Sequence, residues 1–433
     1  MIIYDIDTLG ERLHHQGAQT GVFRVVETIA EGIAQDPMLQ PVWHAEQFHD
    51  PAKAYLQANA KLRGFPMLAT EKKPSHFYTS LYNHLTQLQA NDSRHPENQA
   101  RLVPKAYRKV LSVARRVLTP SPPQRTLHTN PALLANSRIY HATWWKPPTH
   151  IRNHRHLTFF YTIYDLIPML YPQYVGHNAD YPSKRMMEDM DEQSWGLSIS
   201  QSSKNDLCNY NQRINPDKVL VTPLAADRRI FYPEKKEETL AAVRKKYGVP
   251  DAPYLLSLST LAPHKNIIHV IQSFFKLLEQ QHIKDLNLVL VGAKGWEFED
   301  IFHTISEYRH LQSRIIVTGR AAEEDLSALY SGALGFAFMS FYEGFGLPPL
   351  EAMQCGVPVI TSNTSSLPEV VGDAGIMLDP KDEDGLCQAM LDVYGSASLR
   401  EEMSRKSLQQ AAKFSWDKTV SQTIQGYKMA LQL

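Results

Sequence analysis

Cysteine is scarce in this chain: Cys208, Cys355 and Cys387 are the three in 433 residues, far apart and without a CxxC pair. That excludes a disulfide framework and a cysteine metal site, and it suits a reducing compartment. Long hydrophobic runs are missing as well. No apolar stretch reaches the roughly 20 residues that span a bilayer, and the N-terminus has neither the basic start nor the long apolar run of a secretion signal. The expected location is cytoplasmic, at most peripheral to the inner face of a membrane. An excess of charge of either sign is also absent, since 45 Lys and Arg balance 45 Asp and Glu. No global field draws the chain to nucleic acid, and an anionic partner has to be met by a local cluster.

What is present is ordinary globular composition, 43% hydrophobic and 21% charged, in a chain long enough for two domains. A short strand over residues 2–6 leads through a loop containing Gly17 and Gly21 to an amphipathic helix over 22–33. Residues 50–130 turn polar, basic and proline-punctuated, without a clear strand, and read as a helical insertion. Strand-like runs return at 137–141, 157–163, 195–200 and 218–222, and then at 254–259, 286–291, 315–317, 334–339, 357–361 and 375–378. Helical stretches separate them, as parallel sheets with crossover helices require. The expected organisation is a first Rossmann-like lobe over 1–228, a second over 229–413, and a final helix over 414–433 that packs back on the first.

The chemistry concentrates in residues 341–361. Glu343 and Glu351 flank Gly344-Phe-Gly-Leu-Pro-Pro-Leu350. Gly344 and Gly346 let backbone approach a ligand, while Pro348 and Pro349 suit the first turn of a helix that starts there. Backbone N–H groups at such a helix start can face an anion, and carboxylates before and within the helix can accept hydrogen bonds from vicinal hydroxyls. A sugar and a ribose both present such hydroxyls. A bare pair of glutamates would be a strand end and a surface residue; the intervening glycines and prolines favour a ligand site.

This stretch, together with Val317-Thr-Gly-Arg-Ala-Ala-Glu-Glu-Asp-Leu-Ser-Ala-Leu-Tyr330 and Ser365-Ser-Leu-Pro-Glu-Val-Val-Gly-Asp-Ala-Gly375, resembles glycosyltransferase family 4, the retaining transferases of GT-B fold. The resemblance covers most of the second lobe. It implies that Glu343 holds hydroxyls of the donor sugar, that Gly344, Phe345, Gly346 and Leu347 line sugar and phosphate, that Glu351 holds the ribose, and that Gly319 and Arg320 lie near the base. The donor is a nucleotide diphosphate sugar and no cofactor or metal is implied.

Residues 256–266 are similar to the family's segment that closes on the diphosphate, with Thr260 and His264 beside it and Lys265 as its cation. A departing diphosphate gains charge as the glycosidic bond breaks, so a fixed ammonium stabilises the transition state more than the ground state. Ser259 stands where the family usually has Gly, and His264 where Arg commonly precedes the Lys, which predicts a weaker or pH-sensitive grip. In the first lobe, Gly21 and Arg24 resemble the loop and helix start that approach the donor phosphates. Tyr164 replaces the His of a His-Asp pair, and Asp165 remains, to orient the acceptor or to cap the loop. Asp5 and Asp7 spell a DxD pattern that is common by chance and is read as structural.

The implied activity is retaining transfer of a sugar, by resemblance around 260–266 mannose from a guanine nucleotide, to a growing glycan or lipid-linked glycan in surface polysaccharide biosynthesis. Competing readings are a sugar-nucleotide epimerase or hydrolase on the same architecture, or a non-catalytic sugar-nucleotide binder. A basic amphipathic stretch, 105–118, with Tyr107, Val110, Leu111, Ala114, Val117 and Leu118 on one face, suits contact with anionic lipid, although a helix that packs this face on the core is the favoured reading of the same spacing.

Overall fold

The computed structural model describes residues 1–15, 21–72, 80–81, 84, 126–174, 181–293 and 299–432. The basic stretch 105–118 and Gly17 lie outside them. Within them, the first sheet contains β1 (Ile2–Asp5), β2 (Pro41–His44), β5 (Ile139–Ala142), β6 (Thr158–Ile163), β7 (Trp195–Ser198) and β8 (Val219–Val221), in the order β2-β1-β5-β6-β7-β8. The second contains β9 (Tyr254–Leu258), β10 (Asn287–Val291), β11 (Ile315–Gly319), β12 (Gly335–Phe338), β13 (Val359–Ser362) and β14 (Ile376–Leu378), in the order β11-β10-β9-β12-β13-β14. Every pairing in both sheets is parallel.

Burial explains the sequence of these strands. β1, β2, β5, β10, β12 and β13 are buried at every position, which only near-continuous apolar runs with helices on both faces permit. The expected insertion needs one correction. Between 50 and 130 the chain adds a helix, His49–Ala58, and an antiparallel pair, β3 (Ala69–Lys72) with β4 (Thr126–Thr129). Ala-Thr-Glu-Lys carries no β-branched run, so propensity gave no sign of it; pairing with β4 supplies the backbone partners that propensity does not.

The final helix, Trp416–Leu431, returns to the first sheet. Gly32 in the helix Gly21–Gln35 faces Val420, where any Cβ would collide with the valine side chain. Gly426 lies over β8, where a Cβ would sit 2.9 Å from Leu220 Cδ1. Glycine within a helix costs about 0.5–1 kcal/mol relative to alanine, here offset by close packing. Tyr427 completes the seam: its hydroxyl lies 2.5 Å from His141 Nδ1, whose Nε2 meets Thr162 at 2.8 Å.

Candidate functional site

Both sheets reverse strand order, the first between β1 and β5, the second between β9 and β12. In open α/β sheets ligands bind beyond the carboxyl ends of strands at such a switch point. Lys265 follows β9 and Glu343 follows β12, so the topology brings the two together from 78 residues apart. Lys265 Nζ donates to Glu343 Oε1 at 2.6 Å and to Oε2 at 2.9 Å. The pair is 17% and 11% exposed at its side chains, enough for a ligand to reach and little enough for water to screen weakly. Lys265 also lies 5.8 Å from the centroid of the Phe338 ring.

The glutamate is held from behind. Ser365 adopts a left-handed conformation, φ 51, unusual for a residue with a Cβ, and its hydroxyl accepts the Glu343 N–H at 2.9 Å. Ser366 Oγ donates to the carbonyls of Glu343 at 3.0 Å and Phe345 at 2.8 Å. Gly346, φ 103, then starts the helix Leu347–Gln354. Pro348 and Pro349 occupy its first turn as expected, but they carry no N–H, so Leu347 alone among the first three positions presents one to an anion. Phe345 turns its ring into the core against Phe414 and leaves only backbone for a ligand.

Glu351 lies on that helix, 6% exposed. Its Oε1 accepts from Arg24 Nη1 at 3.3 Å and its Oε2 from the Tyr330 hydroxyl at 3.1 Å. Arg24 Nη2 pairs with Glu323, a residue that sequence reasoning missed; in the run Glu-Glu-Asp at a helix start nothing distinguishes it from its neighbour. Burial pushes the Glu351 carboxyl up, and Arg24 pulls it back down. Arg24 belongs to the first lobe, so this ion pair crosses the cleft, and Gly21 approaches Leu347 beside it.

A second crossing is made of backbone. Ser203 Oγ donates to the Tyr164 carbonyl at 2.9 Å and approaches the Gly344 carbonyl at 3.3 Å. A Cβ on Gly344 would collide with the Tyr164 carbonyl oxygen. Asp165 caps its own turn, accepting Ile167 N–H at 3.0 Å; burial first, then the charge of Glu343, raises its carboxyl, while Lys265 opposes. The Tyr164 hydroxyl is buried with its ring edge-on to Trp144, and burial drives its ionisation far above the ordinary range, so it is no base. Glu369 and Tyr342 add further bridges: Glu369 accepts the N–H groups of Gln201 and Ser202 at 2.8 and 3.0 Å, and Tyr342 donates to Asp206.

His264 corrects the expectation of a pH-sensitive grip. Burial and the adjacent Lys265 cation lower its pKa to about 4, so it is neutral across the physiological range and adds no charge to Lys265. Its carbonyl instead accepts from Phe341 N–H at 2.9 Å and Ser340 Oγ at 3.0 Å, tying the β9 loop to the β12 loop. Thr260 and Arg320 are exposed at the ends of β9 and β11, and Gly319, φ 69, turns the chain there; none touches the Lys265–Glu343 pair through a described bond. Asp5 and Asp7 are structural, since Asp7 accepts the N–H groups of Glu46 and Phe48 at 2.9 and 2.8 Å while Asp5 meets Thr143. Among the described residues no cluster of three or more His, Cys, Asp or Glu could hold a metal, and no helix is long and apolar enough to cross a membrane.

Two parallel six-stranded sheets with helices on their faces are the architecture of the GT-B glycosyltransferases. The chain belongs to the glycosyl transferases group 1, whose family profile matches residues 241–410. O-antigen chain mannosyltransferase B of Escherichia coli is 37% identical over 274 residues, 62% of this chain and 69% of that one. Serotype-specific mannosyltransferase WbdA of Escherichia coli is 32% identical over 273 residues, 62% of this chain but 33% of WbdA, so the match spans a third of that protein. The solved structure of HepE from Anabaena in complex with UDP and glucose shares the fold, with a TM-score of 0.63, 15% identity and 98% of each chain covered.

Proposed function

We propose that the chain is a retaining mannosyltransferase that needs no metal, moving mannose from a guanosine diphosphate donor to a hydroxyl of a growing surface polysaccharide or its lipid-linked precursor. The observation that carries this is the Lys265–Glu343 pair at the switch point, in a chain similar to two proteins named as mannosyltransferases. Glu343 accepts hydrogen bonds from the sugar hydroxyls, and Lys265 moves onto the diphosphate as the donor enters. The bond from the anomeric carbon to phosphate oxygen breaks, the bond to the acceptor oxygen forms on the same face, and the acceptor proton passes to the departing phosphate. Lys265 and Arg24 neutralise the charge that leaves, the work a divalent cation would otherwise do. Gly21, Gly344, Gly346 and Leu347 frame the phosphates, Glu351 the ribose, and Thr260, Gly319 and Arg320 the base side of the cleft. Asp165, beside Glu343, faces the acceptor.

We place the lobe boundary near residue 228 and the enzyme in the cytoplasm. Contact with anionic membrane through 105–118 rests on the sequence alone, and failure to float with anionic liposomes would remove it. The assay for the main reading is transfer from GDP-mannose to a mannan oligosaccharide, in EDTA, with the product anomer read by NMR. An α-linked product formed in EDTA supports it; an inverted product, or free mannose alone, refutes it.

A further inference from the structure

The two oxygens of Glu351 each accept a hydrogen bond, one from each lobe. Tyr330 donates to Oε2 from the helix Glu323–Ser331 of the second lobe, and Arg24 donates to Oε1 from the first. A carboxylate has about four lone-pair sites, two on each oxygen. One bond to each oxygen leaves acceptor capacity on each, and two vicinal hydroxyls require one acceptor apiece.

Tyr330 is suited to hold that carboxylate. It is fully buried, and its ring is wedged between Phe231, at 6.1 Å, and Phe336, at 5.4 Å, so the hydroxyl cannot swing away. Its ionisation lies far above the ordinary range, through burial and then the Glu351 charge, so it is a donor at every usable pH. We propose that Tyr330 is a positioning residue that locks Glu351 in the orientation for reading both ribose hydroxyls, and thereby makes the enzyme selective for ribonucleotide over deoxyribonucleotide donors. This rests on the reading of Glu351 as the ribose-binding group.

The test is calorimetric titration of wild type, Tyr330→Phe, Tyr330→Met and Glu351→Gln with GDP and 2′-deoxy-GDP, each variant checked by thermal melting. Wild type should favour GDP by about tenfold, the worth of one hydrogen bond to a charged group. Tyr330→Phe should weaken GDP, which loses two ribose hydroxyl bonds, about fivefold to tenfold more than 2′-deoxy-GDP, which has only the 3′-hydroxyl bond to lose, so that discrimination collapses; Tyr330→Met should do the same if the aromatic variant fails to fold. Equal weakening of both nucleotides, or discrimination kept at the wild-type level, overturns the proposal while leaving the ribose reading intact. A wild type that binds both equally, with Glu351→Gln no different, overturns the ribose reading itself and the proposal with it.

Discussion

The two lobes serve the cleft by different means. The second lobe brings its own charge pair, Lys265 and Glu343, on two loops tied to each other by the His264 carbonyl, with the Glu343 loop held in turn by Ser365 and Ser366. The first lobe reaches over with one guanidinium, Arg24, and with backbone at Tyr164. A site preorganised within one lobe keeps its geometry when the cleft opens, whereas contacts made across the cleft exist only when it is closed. In the proposed reading the donor machinery is therefore built into one body, and lobe approach adds to it.

The largest effect that tests this division comes from Lys265→Ala. Removing the cation leaves Glu343 buried beside Asp165 without compensation, and turnover should fall about a hundredfold to a thousandfold, the usual loss for one fixed transition-state stabiliser. Steady-state transfer from GDP-mannose measures it, and a fall of less than about tenfold would shift the burden to Arg24.

Acid tests the burial of the first lobe's histidines. His44 and His141, buried in the first sheet, have pKa values lowered to about 3 by burial. Their unfolded value is near 6.5, so below that pH the unfolded chain binds protons the folded chain refuses. Stability is fullest above pH 6.5 and drains as pH falls towards 3, by about 1.4 kcal/mol per pH unit for each histidine. Urea unfolding of wild type and of His141→Gln followed at pH 7 and pH 5 should show a smaller acid loss in the variant; equal losses would contradict the assignment.

Next is Gly344→Ala, which sets a Cβ against the Tyr164 carbonyl oxygen. Overpacking of this kind costs about 1–3 kcal/mol, and here the chain can relieve it by opening the cleft. Small-angle scattering should report a larger radius of gyration with the Lys265–Glu343 pair intact. The smallest effect expected is from Glu369→Ala, which uncaps the helix Gln201–Tyr210 across the interface. A loss of about 0.5–1 kcal/mol is expected by chemical denaturation.

The same asymmetry decides what the sequence makes legible. Gly344, Gly346, Pro348 and Pro349 sit within a few residues of the glutamates they position, so local chemistry exposes the second lobe's site. Arg24 and Glu351 meet from 327 residues apart, and neither spacing nor propensity carries that contact. Glu323 was hidden for the same reason, and Tyr330 was visible only as part of a motif without a role. Among strands, Pro41–His44 was missed because a proline opens it and a histidine closes it, leaving only Val42 and Trp43 as an apolar run, and β3 because its pairing with β4 spans more than fifty residues. His264 misled in the other direction: a histidine beside a lysine suggests a titrating partner, but burial and that lysine hold it neutral.

In the proposed mechanism Glu343 holds the sugar while the nucleotide is held by other groups. Calorimetric titration of Glu343→Ala with GDP-mannose and with GDP tests it most directly. Weaker binding of GDP-mannose and undiminished binding of GDP are expected, since Lys265 is then free for phosphate. Equal loss of both ligands, or no change in either, would contradict it.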